Sequence, residues 1–146
     1  YFTIRAEGSF NAPVILKGLE SQKAELARIA ALEHSTAVEK GNATVIEVAA
    51  EMYLRGMEFL PIDLDRSDAS EFKMVDGKLL PPFNCIPALG DAVAKEIVRA
   101  RDEHLFTSKE DLKKRGKVSQ SIIDTMDSMG ILKNMPDEEQ ISLFSF

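Results

Sequence analysis

The sequence predicts a mainly α-helical protein with one small β-hairpin, and three observations lead to this prediction. Apolar residues recur at helical spacing over most of the chain. Asp76-Gly77 stands between two short apolar runs, which is a strong signal for a two-residue hairpin turn. Of the 146 residues, 45% are hydrophobic, so the chain can build a substantial core.

The first predicted helix begins after Asn11, which can act as its cap, with Pro13 in its first turn. Its apolar face holds Ile15, Leu19, Leu26, Ile29 and Ala30. The polar stretch EHSTAVEKGNA breaks this period and is expected to be a connection. A second helix should start at about Thr44 and end at Gly56, because glycine readily adopts the left-handed conformation that follows a helix.

The next part of the chain changes character. MEFLPIDLD contains Pro61 and has no helical period, so it is expected to be extended. On an extended strand Asp63 and Asp65 would share one face, as a two-metal phosphoryl-transfer site requires, and Asp68 follows soon after. The favoured alternative is that these acids cap backbone N–H groups in a loop.

Three further helices are predicted from Ile86 onward. In IPALGDAVAKEIVRAR a tight turn precedes a helix whose shared face carries Ala94, Ile97, Val98 and Arg101. Thr107 to Glu110 matches the spacing of a capping box and should start a short helix. Ser119 can cap the last helix and Gly130 can end it. Beyond it, KNMPDEEQ is polar and interrupted by proline, which predicts a flexible tail.

Composition and single residues argue against most enzyme classes. The net charge is −6, and no glycine motif for phosphate or dinucleotide binding is present. His34 and His104 have no nucleophile or ligand at suitable spacing and are expected on the surface. Cys85, the single cysteine, should pack as a small apolar side chain and suits a reducing cytoplasm. No apolar run is long enough to span a membrane, and the start at Tyr1 suggests a piece of a longer chain.

The segment FNCIPALGDAVAKEIVRAR resembles the helix-hairpin-helix motif, which binds duplex DNA without sequence specificity. The motif's turn usually reads apolar-Pro-Gly-apolar-Gly; Leu89 and Gly90 match it, whereas Ala88 stands at the first glycine. Such a turn can direct backbone N–H groups at a phosphate even in an acidic protein. VSQSIIDTMDSMGIL resembles a degenerate second copy that packs with the first. The alternative is that the turn is a plain connection between helices.

The resemblance implies duplex contacts at the turn and at nearby basic side chains. Residues 91–117 carry eight basic and six acidic side chains, which gives this window a net charge of +2. The candidate contacts with the DNA backbone are Ala88, Leu89, Gly90, Asp91, Ala92, Lys95, Arg99, Lys113, Lys114, Arg115 and Lys117. Because these would be phosphate contacts, binding should be weak, blind to sequence and strongly dependent on salt.

A wider resemblance covers nearly the whole chain. AAEMYLRGMEFLPIDLDRSDASEF, LLPPFNCIPALG, IVRARDEHLFTSKEDLKKRGKVS and QISLF together resemble the C-terminal end of PolC-type replicative DNA polymerases of Gram-positive bacteria. This resemblance implies the end of the fingers region at 1–56, an extended connector at 57–83, a helix-hairpin-helix duplex-binding domain at 84–132 and a flexible tail at 133–146. The family's catalytic aspartates lie in an upstream palm domain, so Asp63 and Asp65 inherit no catalytic role.

The short motif QISLF resembles the peptide with which bacterial replication proteins bind the β sliding clamp. The implied clamp contacts are Gln140, Ile141, Ser142, Leu143 and Phe144. Leu143 and Phe144 would fill an apolar pocket on the clamp. Two alternatives stay open: these side chains pack against their own domain, or Phe146 fills the pocket instead of Phe144.

The two resemblances imply a fragment that grips newly made duplex DNA and tethers a polymerase to its clamp. The full-length polymerase would use Mg²⁺ and deoxynucleoside triphosphates, whereas this fragment should hold no cofactor and be inactive alone. Its partners would be double-stranded DNA, the sliding clamp and the rest of the polymerase chain, in the cytoplasm and without a membrane. The alternatives are a free-standing helix-hairpin-helix protein of repair or DNA uptake, and a protein-interaction module whose basic cluster is only a solvated face.

Overall fold

The computed structural model describes residues 1–4, 6 and 8–138, and within them it contains six α-helices and one two-stranded sheet. This confirms the predicted mainly α-helical class with a small hairpin. The elements in chain order are α1 (Ala12–Ile15), α2 (Leu19–Ala30), α3 (Ala37–Leu54), β1 (Lys73–Val75), β2 (Lys78–Leu80), a 3₁₀ turn (Phe83–Cys85), α4 (Asp91–Glu103), α5 (Lys109–Arg115) and α6 (Gln120–Ser128). In the described residues, no helix is both long and apolar enough to cross a membrane.

The first predicted helix is divided into α1 and α2, so the prediction of one continuous helix is wrong. Asn11 caps α1 as expected, because its side-chain oxygen accepts from the Val14 N–H at 3.4 Å. The chain then turns at Gly18, whose φ of +102° lies outside the helical range and favours glycine. The Gln22 side-chain amide donates to the Ile15 carbonyl at 3.0 Å, which satisfies a carbonyl at the end of α1.

Helix α3 begins at Ala37, earlier than the start predicted at about Thr44. Thr36 and Glu39 form a capping box, in which each side chain accepts from the other residue's backbone N–H at 3.1 Å. Most of the stretch expected to be a connection is therefore helical. The predicted end is confirmed, since Gly56 follows the helix with a φ of +86°.

The predicted hairpin is confirmed in its turn and its register. Asp76 and Gly77 have φ values of +51° and +77°, the pair of positive values that a type I′ turn needs. The segment before the hairpin is extended at Phe59, which pairs with Leu79 in a parallel bridge. It turns at 64–66, so the prediction of an extended segment through Asp65 is wrong there. The Leu60 N–H donates to the Leu79 carbonyl at 2.7 Å, so this segment lies along the edge of β2.

One hydrophobic core runs through all parts of the described chain, from Phe2 to Leu132. Four phenylalanines pack edge to face or tilted, with ring centroids 5.0–6.5 Å apart, and join the N-terminal segment to the hairpin region: Phe2, Phe10, Phe59 and Phe72. The buried face of α4 consists of Ala94, Ile97, Ala100 and Arg101. The core therefore makes the segments at 1–56, 57–83 and 84–132 depend on one another for burial.

Arg101 is buried although it is charged, and it ties α4 to the loop after the extended segment. Its guanidinium donates to the backbone carbonyls of Leu64 and Ser67, and it lies 5.8 Å from the centroid of the Phe83 ring. Buried charges need such partners, because leaving water without them is costly. The sequence placed Arg101 on the inward face but gave no indication of these carbonyls.

Side-chain caps also define where the last two helices begin. The predicted capping box from Thr107 to Glu110 is wrong, because the cap of α5 is Ser108, which accepts from the Asp111 N–H at 3.0 Å. The Asp111 carboxylate accepts from the N–H of Thr107, the residue before the cap, at 3.1 Å. It does not accept from the Ser108 N–H as a capping box requires. Ser119 caps α6 as predicted, and Gly130 follows it with a φ of +79°.

Gly116 lies where α5 passes into α6 and should not tolerate a side chain. A Cβ atom there would lie 2.7 Å from the Leu112 carbonyl oxygen and 3.2 Å from Cγ2 of Val118. We expect Gly116→Ala to lower the free energy of unfolding by about 2 kcal/mol, because the backbone must shift to relieve this overlap. Urea unfolding followed by circular dichroism measures the change.

Gly90→Ala is the matched control, because a Cβ atom at Gly90 meets no atom within 4 Å and the φ of −78° suits any residue. Its free energy of unfolding should fall by only about 0.5 kcal/mol, the cost of alanine in place of glycine at a helix N-cap. Similar midpoints for the two variants would contradict the steric argument at Gly116.

Candidate nucleic-acid interface

The turn before α4 has the shape that a helix-hairpin-helix motif requires. The Leu89 N–H donates to the Ile86 carbonyl at 3.1 Å, which closes a four-residue turn with Pro87 in its second position. Ala88, in the third position, has a φ of +64°. This is the position at which a turn with proline in the second place usually needs glycine. The alanine therefore adopts the glycine conformation, and the departure from the motif leaves the turn intact.

The turn presents its backbone outward while its apolar side chains hold it in place. Ile86 and Leu89 are 1% and 4% exposed and pack in the core, whereas Pro87, Ala88 and Gly90 are exposed. The Leu89 side chain and N–H are thus used inside the protein. Among the predicted turn contacts, Leu89 has an anchoring role, and the exposed backbone on either side of it remains accessible.

Gly90 leaves the N-terminus of α4 without a side-chain cap. Neither its φ of −78° nor any neighbour demands glycine, since nothing lies within 4 Å of an added Cβ atom. In the described part of the chain, the N–H groups of Asp91 and Ala92 have no hydrogen-bond acceptor. The caps of α5 and α6 accept from the third N–H of their helices, so the glycine leaves the Val93 N–H open as well. These donors at the start of α4 are available to an acceptor from outside.

The acid at the start of α4 is oriented by a neighbour. Asn84 donates to Oδ1 of Asp91 at 3.2 Å, which turns this carboxylate toward the 3₁₀ turn. Lys95, one helical turn further on, is exposed and has no carboxylate within 4.0 Å in the described residues. It lines a cleft of about 720 Å³ that also borders the turn. Ala88 to Ala92 and Lys95 therefore lie together, as the sequence predicted.

The other basic residues of α4 are engaged by acids on the same surface. Arg99 contacts Glu96 and Glu103, each at 2.6 Å, and Lys117 lies 3.6 Å from Glu96. The hydrogen bonds from Arg99 lower the pKa of Glu96 below its usual range. A phosphate would have to compete with these carboxylates for Arg99 and Lys117.

The basic cluster predicted on α5 divides into two kinds of residue. Lys113 and Lys114 are exposed. Lys114 pairs with Glu110 at 2.8 Å, whereas the one polar contact of the Lys113 ammonium within residues 1–4, 6 and 8–138 is the Gln120 amide oxygen at 3.3 Å. Arg115 points inward instead. Its guanidinium donates to the carbonyls of Ala100 and His104 at the C-terminal end of α4.

Arg115 also pairs with Asp111 at 2.9 Å and lies 4.9 Å from the centroid of the Phe106 ring. Since its donors serve the protein itself, its main role in the described structure is to join α4 to α5. The sequence could not separate it from the neighbouring lysines, because the three residues form one basic run.

The turn before α6 resembles the turn before α4 in its backbone angles, which sequence reasoning missed, although its closing hydrogen bond runs from the Val118 N–H to the Lys113 carbonyl. Lys117 has a φ of +54° where Ala88 has +64°, and Val118 is buried like Leu89. The following residue, Ser119, has a φ of −71° where Gly90 has −78°. The sequence signal for this second turn was the apolar Val118, which stands between Gly116-Lys117 and the helix cap Ser119.

The two turns differ in one respect that matters for binding. Ser119 accepts from the Ile122 N–H at 3.3 Å and so caps its own helix, whereas Gly90 has no side chain to do so. The helix N-terminus after the first turn is therefore uncapped, whereas the one after the second turn is capped by Ser119. This agrees with a second copy whose contribution is packing.

The acids considered for metal binding lie in loop turns. Oδ1 of Asp63 accepts from the Asp65 N–H at 2.8 Å, Oδ2 of Asp63 pairs with Arg66 at 2.9 Å, and Asp68 accepts from the Glu71 N–H at 3.2 Å. The extended geometry that would place Asp63 and Asp65 on one face is not present here. No cluster of three or more potential metal ligands occurs within residues 1–4, 6 and 8–138.

The remaining reactive residues are placed as structural groups. Burial raises the pKa of the Cys85 thiol to about 12, which keeps it protonated and unreactive at neutral pH. His34 and His104 are exposed, in agreement with their predicted surface positions. The predicted clamp contacts Gln140 to Phe144, and Phe146, lie outside the described residues.

Comparison with known proteins defines the class of this chain. A family model described as the helix-hairpin-helix motif matches residues 56–141, and the chain belongs to this family. Nearly all of the chain is also similar to proteins named DNA polymerase III PolC-type. It is 45% identical over 144 residues to the one from Thermotoga maritima, 48% over 147 residues to that of Listeria monocytogenes and 46% over 145 residues to that of Bacillus subtilis.

Each alignment covers 99% of this chain but about 10% of the relative, so the chain spans about a tenth of the length of these proteins. The resemblance to PolC-type polymerases stated from the sequence is confirmed, as is the helix-hairpin-helix motif.

Ala88→Gly should stabilise the protein. A left-handed conformation costs a residue with a Cβ atom roughly 1–2 kcal/mol, part of which glycine loses again through its freer unfolded chain. With Ala88 at φ +64°, we expect a net gain of about 0.5–1 kcal/mol in the free energy of unfolding. Urea unfolding of the two chains measures this gain. A loss of stability would show that the turn does not hold Ala88 in this conformation.

Proposed function

We propose that this chain binds double-stranded DNA through the turn at Ala88–Ala92 and belongs to a PolC-type replicative DNA polymerase. The observation that carries this proposal is the uncapped N-terminus of α4, in a chain of the helix-hairpin-helix family. An N–H pair at a helix start, with a lysine on the next turn, suits a phosphate oxygen. This geometry supports contact with the DNA backbone rather than with bases.

The acidic character of the chain is compatible with this role. The net charge is −6, so attraction by the whole surface does not explain DNA binding. Fixed N–H dipoles bind a phosphate locally and cost no rearrangement. Lys95, and Lys113 with Lys114 on α5, would add charge around the turn. Arg99, Lys117 and Arg115 would contribute less, since each already has partners within the protein.

The wider function follows from the PolC-type relatives. In this proposal residues 1–56 are the end of a fingers region, and 57–83 connect it to the duplex-binding domain at 84–132. Residues 133–146 form a tail. Nucleotide transfer with Mg²⁺ would take place elsewhere in the polymerase, so this fragment would be inactive alone and would act in the cytoplasm. Its task would be to hold the new duplex behind the polymerase site.

The tail would bind the β sliding clamp through Gln140 to Phe144. The support is the match of QISLF to the clamp-binding pattern, with a polar residue first and two large apolar residues last. Burying a leucine and a phenylalanine contributes about 1.5–3 kcal/mol each, which suits modest binding by a short peptide. Joining this contact to duplex binding on one chain would raise the effective concentration of each.

Gly90→Asp tests the duplex contact, because aspartate caps a helix N-terminus well and adds a negative charge at the open donors. We expect the affinity for a short duplex to fall roughly tenfold or more while the fold stays intact, since no neighbour obstructs a side chain there. Fluorescence anisotropy with a labelled duplex at several salt concentrations measures this affinity.

The matched control is Ser119→Asp, the same change of cap at the closed second turn, and it should alter affinity less than twofold. Binding of the parent chain should weaken as salt rises. Affinity that is unchanged between low and moderate salt, or equal losses from both variants, would contradict the proposed contact. Absence of any duplex binding would favour a protein-interaction module.

Removal of the tail tests the clamp contact. A chain that ends at Glu139 should recover much less β sliding clamp in a pull-down than the intact chain. Phe144→Ala should reduce clamp affinity roughly tenfold or more, because a buried phenylalanine is lost, whereas Phe146→Ala should have a smaller effect. Equal recovery by the intact and shortened chains would remove clamp binding from the proposal, and a larger effect at Phe146 would shift the register.

A further inference from the structure

The last described residues of the chain dock on the first turn of α5. The Lys109 N–H donates to the Pro136 carbonyl and the Glu110 N–H donates to the Asp137 carbonyl, both at 2.9 Å. These are backbone contacts across more than twenty residues of sequence. They place the residues just before the clamp-binding motif at a defined point on the surface.

This contact completes the hydrogen bonds at the start of α5. The first N–H groups of a helix have no partner inside the helix and must find one elsewhere. The Ser108 hydroxyl accepts from the Asp111 N–H at 3.0 Å, and the segment at 136–137 takes the two donors before it. The tail therefore supplies what the helix itself cannot.

The Lys109 side chain stabilises the same contact through ion pairs. Its Nζ lies 3.1 Å from Oδ1 of Asp137 and 3.3 Å from Oδ1 of Asp127 on α6. The hydrogen bond that Lys109 donates to Asp137, with the one it donates to Asp127, raises the pKa of Lys109, so the ammonium stays charged over the whole physiological range. Lys109 thus joins the tail, α5 and α6 at one point.

The opposite end of α5 carries Lys113 and Lys114, two of the proposed duplex contacts. Seven residues of α-helix span about 10 Å, so the point where the tail docks lies close to these lysines. Only Glu138 and Glu139 separate Asp137 from Gln140 in the sequence. The clamp-binding motif therefore starts within a few residues of the surface proposed to face DNA.

We propose that Lys109 is a positioning residue that anchors the tail at Pro136–Asp137, so that a clamp threaded on duplex DNA is bound beside the duplex-binding surface. This inference rests on the proposed function, because it assumes that the tail binds the clamp. An anchored tail has a shorter free linker, and the effective concentration of a tethered peptide falls as its linker lengthens. The anchor matters when clamp and duplex are engaged together and not when the clamp alone is bound.

Lys109→Pro removes the anchor with little expected cost to the helix. Lys109 is the first residue of α5, a position where proline is favoured, and Ser108 before it is already extended, with φ −156° and ψ 167°. The substitution deletes both the N–H that meets Pro136 and the ammonium that meets Asp137. Lys109→Gln deletes the charge alone. Ala37→Pro, at the same position of α3 and remote from the tail, is the matched control.

Amide hydrogen exchange of the intact chain, followed by NMR, tests the anchor without any clamp. The Glu110 amide should exchange at least tenfold more slowly in the parent and in Ala37→Pro than in Lys109→Pro, with Lys109→Gln in between. Rapid exchange of Glu110 in the parent chain would overturn the anchor.

Clamp binding tests the positioning role. Lys109→Pro should bind free β sliding clamp within twofold of the parent, because the motif itself is unchanged. It should bind clamp loaded on duplex DNA about threefold more weakly, as expected if the stretch between the last held residue and the motif grows from two residues (138–139) to four (136–139). Ala37→Pro should match the parent in both assays. Equal affinities of Lys109→Pro and the parent in both assays, or equal losses in both, would overturn the positioning role.

A chain ending at Glu139 separates the two proposals. If it binds free clamp as well as the intact chain, the clamp contact of the proposed function fails and the positioning role fails with it. If it loses clamp binding while Lys109→Pro behaves as the parent on loaded clamp, the clamp contact stands and the positioning role alone is overturned.

Discussion

The need to satisfy backbone groups at helix ends is the constraint on which this structure depends. Thr36 and Glu39 meet it at the start of α3, Ser119 at the start of α6, and the Arg115 guanidinium at the end of α4. The start of α2 also lacks a side-chain cap, but Gly18 there has a φ of +102°, which favours glycine. At the start of α4, Gly90 offers no cap although its conformation allows any residue. A helix start that lacks a cap where the conformation does not require glycine is a reason to look for an outside partner.

An acidic protein can still present a local site for an anion. Most surface bases here lie beside carboxylates, as with Arg99 between Glu96 and Glu103. The exceptions, such as Lys95, stand out because of this balance. A few directed N–H groups with one or two unpaired lysines give local attraction without a positive surface, which favours contacts that are weak individually and effective when joined to others.

The local patterns of the sequence predicted the fold class, the hairpin turn at Asp76-Gly77 and the caps at Asn11 and Ser119. Two errors came from caps that the sequence did contain. The Thr36 and Glu39 pair was read as part of a connection. The cap of α5 was placed one residue early, because Thr107 and Ser108 are chemically alike as caps. The break between α1 and α2 was missed since glycine inside an apolar period is compatible with a continuous helix.

The sequence by itself determined the helix-hairpin-helix turn, the small hairpin and the identity of the basic residues, because these depend on conformational preferences of neighbouring residues. Only the tertiary structure decided which basic residues serve the protein and which remain accessible. Arg115 and Lys109 find their partners at Ala100 and Asp137, far away in sequence. Such contacts depend on how the helices pack around the shared core, and no local pattern encodes the position of a distant carbonyl or carboxylate.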